Sequence, residues 1–145
     1  MLKPILKFYL YGSLGFTTEI VFTAFHNLFQ RFTLNIPLDL KLNGESYIWM
    51  FFIYGIGSII FPLGHNLILK YPLIIRLLLM AIGIFAVEFL AGAILHITTG
   101  SCPWEYHSPL AIMGYIRVDY LPAWMLFGFI LEKANALFDK MLLNF

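Results

Sequence analysis

Hydrophobic side chains along the chain form four long runs that short polar segments separate. Each run is long enough to cross a hydrocarbon core of about 30 Å as a helix that rises ~1.5 Å per residue. The pattern predicts an all-α integral membrane protein, with one transmembrane helical-bundle domain over residues 1–145 and short loops. The four predicted spans are Ile5–Phe29, Tyr47–Leu69, Pro72–Thr98, and a last one from Ala111 or Ile116 to Phe138.

A different pattern occupies residues 30–46, between the first two runs. From residue 34 to residue 43, apolar and polar side chains alternate with a period of two, which is typical of an extended segment. An unpaired strand in lipid would leave its backbone polar groups unsatisfied, so this segment cannot span. We expect it to lie at the membrane interface, where Pro37 restricts it to an edge position.

The first run resembles a signal peptide because Lys3 and Lys7 precede it. It contains Glu19, however, and has no convincing small-residue cleavage site. We therefore expect it to remain attached as the first span.

Composition agrees with a membrane location. Hydrophobic residues make up 61% of the 145 residues, charged residues only 12%, and the mean hydropathy is +0.84. Soluble domains carry roughly 25% charged residues, so a soluble protein is excluded. Aromatic residues, at 18%, are placed near the ends of the runs as interfacial anchors are. A net charge of +1 gives no indication of nucleic-acid binding, and the single cysteine, Cys102, excludes an internal disulfide.

Basic residues predict the orientation. With four spans, one side of the membrane receives twice as many of the nine basic residues as the other. The positive-inside rule then places both termini in the cytoplasm. The richer side has Lys3, Lys7, Lys70, Arg76, Lys133 and Lys140, and the poorer side has Arg31, Lys41 and Arg117.

Two acids interrupt the apolar runs, Glu19 in the first and Glu88 in the third. A carboxylate at that depth costs about 2.5–3.5 kcal/mol on insertion scales and normally faces protein or a wet cavity. Helical spacing places Gly15 on the face of Glu19 and Gly92 on the face of Glu88. One interpretation is a shared cavity that binds a cation, relays protons or holds a polar head group. The other is that each acid hydrogen-bonds a neighbouring helix and only stabilises the bundle.

A compact polar and aromatic motif, which we call the knot, follows the third run and comprises Cys102-Pro103-Trp104-Glu105-Tyr106. Its aromatic rings suit stacking on a ligand that Glu105 orients. Equally, it suits a structural turn in which Trp104 and Tyr106 are interfacial anchors and Glu105 caps the next segment.

With the knot, nearly the whole chain resembles the ABC-transporter permease family of the CmpB type, and most closely the transmembrane protein 229 family. The most specific matches are Glu88-Phe89 with Gly92, followed by the knot. Further matches, in chain order, are Tyr11-Gly12, Gly15, Glu19, Val21-Phe22-Thr23-Ala24, Leu42, Gly44, Ser46, Trp49, Phe52-Ile53-Tyr54-Gly55, Ile94-Leu95, Gly114, Ile116, Tyr120, Pro122, Trp124 and Glu132.

The resemblance implies a multi-pass membrane fold and a transport role. This chain departs from the family pattern at the knot, where Glu105 and His107 stand in place of the usual Asp and Ser. It also departs at His96. An added methylene displaces a carboxylate by around an ångström, which matters if Glu105 positions a ligand.

Other candidate chemistry is weaker. His26 and His96 with the two acids offer metal-ligand atoms, but no short ligand spacing supports a metal, so we predict hydrogen-bonded or interfacial histidines. Arg117 is expected to pair with Asp119 or with Glu105. Glu132 suits either a pocket or the surface. No Walker loop, nucleophile elbow or zinc-protease helix occurs, and no cofactor is predicted.

These features predict a transporter-like protein that binds a small polar or amphiphilic ligand at an intramembrane carboxylate site. Four short helices enclose little volume, so we also expect a homo-oligomer or a partner membrane subunit in the bilayer. Two alternatives remain open, a membrane-embedded enzyme on lipid-linked substrates and an accessory subunit of a membrane complex. The predicted ligand-binding residues are Glu19, Glu88, Trp104, Glu105, Tyr106, Tyr11 and Trp124.

Overall fold

The computed structural model describes residues 2–144. Their contacts divide into two compact units, residues 2–60 and residues 61–144, and the boundary falls inside the second helix. The helices are α1 (Leu2–Thr33), α2 (Ile48–Ile68), α3 (Leu73–Thr99) and α4 (Leu121–Met141). A two-stranded antiparallel hairpin, β1 (Ala111–Ile112) with β2 (Ile116–Arg117), lies between α3 and α4.

Among the described residues, three segments are long and apolar enough to cross a membrane: α2, α3 and Val118–Met141, which includes α4. At 32 residues, α1 has sufficient length. It falls outside this group because polar and charged side chains recur along it, among them Lys7, Glu19 and Arg31. The helical membrane class is therefore supported, and the first span stays a prediction.

In the unit of residues 2–60, α1 packs closely against the first half of α2. A Cβ atom at Gly12 would lie 2.7 Å from the Phe51 carbonyl oxygen, and one at Gly15 would collide with the Tyr54 ring. Small residues allow helix backbones to approach in membrane proteins. Gly12 and Gly15 therefore let α1 approach α2 closely.

Residues 34–47, which we call the return segment, run back along α1 without strand pairing. Positive φ angles at Asn35 and Leu42 break its extended course, so the predicted continuous alternation is interrupted. Side-chain bonds tie it to α1: the Arg31 guanidinium donates to the Pro37 carbonyl (2.8 Å), and the Thr23 hydroxyl accepts from the backbone N–H of Glu45 (2.9 Å). The location of the segment at the interface stays a prediction.

In the unit of residues 61–144, α3 and α4 pack through a small residue. A Cβ atom at Gly128 would lie 3.1 Å from the Cβ of Met80, and Ala81, Phe127 and Leu131 are buried there. Helix α3 ends at Gly100, whose φ of 84° lets its N–H donate to the His96 carbonyl at 2.9 Å.

Of the two approximate starts predicted for the fourth span, Ala111 is wrong because residues 111–117 form the hairpin, whereas Ile116 lies close to the segment Val118–Met141 that is apolar enough to span; α4 itself begins at Leu121. Met113 (φ 52°) and Gly114 (φ 75°) both adopt positive φ between Ile112 and Tyr115, a geometry that glycine favours. Pro122 lies in the first turn of α4, where no intrahelical N–H is needed, so it starts the helix and does not bend its interior.

Candidate functional site

Glu88 is the most enclosed carboxyl group of the predicted site. It lies in the second half of α3 and is only 6% exposed. The Tyr106 hydroxyl donates a hydrogen bond to Glu88 Oε1 at 2.8 Å. The structure therefore brings together the acid of the third predicted span and the last residue of the knot, 18 positions further along the chain.

Tyr106 is held in place from two directions. Its backbone N–H donates to the Gly114 carbonyl at 2.8 Å, which ties the knot to the hairpin turn. Its ring meets Tyr120 edge-on, with 5.8 Å between the centroids. A phenol fixed at both its backbone and its ring loses little freedom when it bonds to Glu88.

Arg117 supports Tyr120 in turn. The guanidinium donates to the Tyr120 hydroxyl at 3.0 Å and lies over the Tyr120 ring, 4.3 Å from its centroid. It also pairs with Asp119, with Nε 3.1 Å from Oδ1, and this hydrogen bond raises the pKa of Arg117. Of the two predicted partners for Arg117, Asp119 is the one that pairs with it.

Trp104 and Cys102 are buried, with 6% and 4% of their surfaces exposed. The Trp104 indole N–H donates to the Tyr115 carbonyl at 3.2 Å, so its polar atom is engaged by the hairpin backbone. Cys102 Sγ lies 3.3 Å from where a Cβ of Gly92 would be, and burial raises the pKa of its thiol. The knot is therefore packed onto α3 at Gly92.

Glu105 points away from its neighbours in the chain. It is exposed, and its Cγ lies 3.3 Å from where a Cβ of Gly114 would be. Glu105 thus lies over the hairpin turn, whereas Tyr106 turns inward to Glu88.

Trp124, in the first turns of α4, is half-buried and meets Phe127 edge-on at 6.1 Å. Its indole Nε1 is buried and has no hydrogen-bond partner within the part of the chain that the structure describes. Tryptophan N–H groups usually find a partner when buried, so Trp124 departs from that rule; its predicted role as a ligand residue stays a prediction.

Glu19 and Tyr11 belong to the other unit. Tyr11 is 2% exposed, with the Lys7 ammonium 5.9 Å from its ring centroid. Ser46, at the end of the return segment, lies beside the half-buried Glu19 carboxyl. The Ser46 hydroxyl interacts with this carboxyl, but Glu19 Oε2 and Ser46 Oγ are both buried and neither completes a well-aligned hydrogen bond among residues 2–144. The shared cavity for Glu19 and Glu88 stays a prediction.

The rings of His26 and His96 lie beside a glutamine and a tyrosine, and these neighbours are not the usual ligands of a metal ion. His26 Nε2 lies 3.0 Å from the Gln30 amide nitrogen, and the His96 ring meets Tyr115 edge-on at 5.9 Å. Among residues 2–144, no three His, Cys, Asp or Glu side chains come together as metal ligands.

Sequence reasoning missed a second polar cluster that joins three helices. Arg76 donates to both oxygens of Glu132, at 2.8 Å and 3.2 Å, and His65 Nε2 lies 3.2 Å from Glu132 Oε2. All three side chains are half-buried, so Glu132 is at an ion pair and not at the surface. The positions of His65 and Arg76 near helix ends were the available signal, but their pairing with Glu132 in the middle of α4, across 56 positions from Arg76, needs the fold.

Sequence reasoning also missed Tyr115, which covers Gly92 and meets Phe89 edge-on at 5.4 Å. The Met-Gly pair at 113–114 was the available signal for the turn that places it.

The fold and these contacts define a helical membrane protein with a carboxyl group enclosed beneath an aromatic loop. Residues 6–144 match the family model described as "Putative ABC-transporter type IV". The chain belongs to this family, which makes it an integral membrane protein of transporter-like type. No solved structure matches the chain.

Proposed function

We propose that the protein is a membrane transporter-like protein in which Glu88, held by Tyr106, binds a small polar or amphiphilic ligand. The observation that carries this proposal is the 2.8 Å hydrogen bond from the Tyr106 hydroxyl to the buried carboxyl of Glu88. It joins the two most specific parts of the family resemblance in one place. The membership in an ABC-transporter-like family supports the transport role.

The chemistry of this pair favours a ligand with hydrogen-bond donors. An ionised carboxylate has roughly four acceptor sites, so one phenol does not exhaust its capacity. The rings of Tyr106 and Tyr120 add π faces that attract cationic or polarised groups. An ammonium or a hydroxyl-bearing head group fits these partners better than an anion does.

The remaining predicted ligand residues contribute to the proposal to different degrees. Trp124 offers a buried indole N–H, and Glu19 and Tyr11 offer a carboxyl and a phenol in the unit of residues 2–60. Trp104 and Glu105 remain proposed ligand residues: the Trp104 indole N–H bonds the hairpin backbone, and the Glu105 carboxyl is exposed over the hairpin turn.

We also propose that the chain works with a second copy or a partner membrane subunit. Large apolar side chains of the spanning helices are exposed, for example Leu67 (74%) and Ile97 (82%). Such faces suit either lipid or another helix, and a family of ABC-transporter type implies membrane partners. Both termini in the cytoplasm remain our proposed orientation.

Native mass spectrometry of the protein extracted with its lipids tests the ligand proposal. We expect a small molecule that co-purifies with the wild type and is lost from Glu88→Gln and reduced in Tyr106→Phe. The exposed acid Glu45 provides a matched control, since Glu45→Gln makes the same chemical change outside the proposed site.

The competing explanation is that the pair only stabilises the fold. In that case Glu88→Gln and Tyr106→Phe lower the thermal midpoint, while the co-purifying molecules and the uptake of solutes into vesicles match those of Glu45→Gln. That result would overturn the proposal. If cells that carry Glu88→Gln show a changed lipid composition while solute uptake into vesicles is intact, the result would instead favour the alternative of a membrane-embedded enzyme that acts on lipid-linked substrates.

A further inference from the structure

The β1–β2 hairpin has an apolar face that its register defines. Ile112 pairs with Ile116, and Ala111 pairs with Arg117. Directly opposite residues of an antiparallel pair share a face, and so do residues two positions apart on one strand. The backbone N–H of Val118 donates to the Leu110 carbonyl at 3.1 Å, which continues the ladder by one pair. The face therefore comprises Leu110, Ile112, Ile116 and Val118.

Three of the four side chains of this hairpin apolar face are exposed, and the fourth, Ile116, is half-buried. The exposed fractions are 55% at Leu110, 47% at Ile112 and 45% at Val118, and Met113 at the turn reaches 72%. If the face lay in water, each Å² of exposed apolar surface would cost roughly 25 cal/mol of free energy relative to a covered surface.

The opposite face is polar and occupied. Arg117 lies on it and contacts Asp119 and Tyr120, and Tyr120 in turn contacts the ring of Tyr106. The hairpin is therefore amphipathic, with its polar face toward the Glu88 site and its apolar face outward.

The position of the hairpin in the chain identifies what covers this face. It lies between the end of α3 at Thr99 and the spanning segment that starts at Val118. Both flanking helices are of membrane-spanning length and composition, so the hairpin lies close to the bilayer surface. The head-group region tolerates its unpaired strand edges, which the hydrocarbon core would not.

We propose that the hairpin apolar face inserts into the boundary between the phospholipid head groups and the acyl chains. The lipid then anchors the loop whose polar face holds Tyr106 over Glu88. This inference rests on the membrane location of the chain and does not require a ligand at Glu88.

Tryptophan quenching in phospholipid nanodiscs tests the insertion. Ile112→Trp places a probe on the apolar face, and His107→Trp places a matched probe at an exposed polar position of the same connection. Difference spectra against the parent chain remove the native Trp49, Trp104 and Trp124 signals. Both sites are exposed, so we expect a tryptophan at either to keep the fold. At Ile112, which lies in β1, tryptophan is also a favourable strand residue. Leu110→Trp provides a second probe.

We expect phospholipids brominated near the head group to quench the Ile112→Trp probe, and aqueous acrylamide to quench it less than the His107→Trp probe. Equal acrylamide quenching at both positions would overturn the proposal, because the face would then lie in water. Protection of Ile112→Trp and Leu110→Trp from both quenchers would also overturn it, because a protein surface would then cover the face.

Discussion

The two helix acids Glu19 and Glu88 share a sequence context but differ in their surroundings. Glu19 and Glu88 each lie in a long helix, four residues from a glycine on the same face. Glu88 is 6% exposed and accepts a hydrogen bond from Tyr106, whereas Glu19 is half-buried and has Oε2 without a partner among the described residues. Because the two helices offer a similar context, the difference in burial and hydrogen bonding between the acids comes from the segment that folds back over each one.

The two covering segments are built from different chemistry. The knot and hairpin present the buried Trp104 indole and the positioned Tyr106 phenol, and they pack on α3 through Gly92. The return segment alternates aliphatic and polar side chains, and its backbone is bound by Thr23 and Arg31 of α1. The knot therefore directs a phenol hydroxyl at its acid, whereas the return segment places only the small Ser46 side chain beside Glu19.

The largest predicted effect removes the aromatic cover. Trp104→Ala deletes a buried indole and its hydrogen bond to Tyr115, and should cost about 3–5 kcal/mol of the free energy of unfolding. Denaturant titration of the purified protein measures this cost. Trp49 is 45% exposed, so Trp49→Ala should cost far less; equal costs would mean that the knot is not a packed element.

A smaller effect follows from removing the Tyr106 hydroxyl that donates to Glu88. Tyr106→Phe should cost about 1–3 kcal/mol, because a buried carboxyl loses its donor. Tyr47→Phe, at an exposed tyrosine, is the matched control for the same titration. In a double-mutant cycle with Glu88→Gln the two costs should fail to add, and additive costs would contradict the bond.

The corresponding change beside Glu19 should have little effect. Ser46→Ala removes a hydroxyl that completes no well-aligned hydrogen bond within residues 2–144, so we expect a change within about 0.5 kcal/mol. The same denaturant titration compares it with Tyr106→Phe. The contrast between the acids is lost if Ser46→Ala proves as costly as Tyr106→Phe.

The smallest perturbation measures how fast the native Cys102 thiol reacts in the unaltered fold. Burial shields its thiol and raises its pKa, so at neutral pH it holds less reactive thiolate than an exposed cysteine does. Maleimide labelling should be slow, should accelerate as the pH rises, and should become fast in Trp104→Ala. A Ser101→Cys, Cys102→Ala chain supplies the exposed comparison, and similar rates at neutral pH would argue against a closed knot.

Much of the helical framework could be read from the sequence. The observed bounds of α2 and α3 lie within one residue of the predicted spans, because long apolar runs leave few other ways to satisfy the backbone in lipid. The start of the fourth span at Ala111 was misplaced, since residues 111–117 are as apolar as a helix would be. The structure reveals the hairpin through its strand pairing and through the positive φ angles at Met113 and Gly114.

The sequence by itself determined the membrane class, the family, and the two helices that carry an isolated acid, because hydropathy and charge are local properties of the chain. The tertiary structure alone decided that Tyr106 meets Glu88, that Glu105 faces outward, and that Arg76 pairs with Glu132. Two of these contacts join residues that are 18 and 56 positions apart in the chain, so they depend on how the loops and helices pack together. No local pattern encodes that geometry, since a one-residue change of direction separates the inward Tyr106 from the outward Glu105.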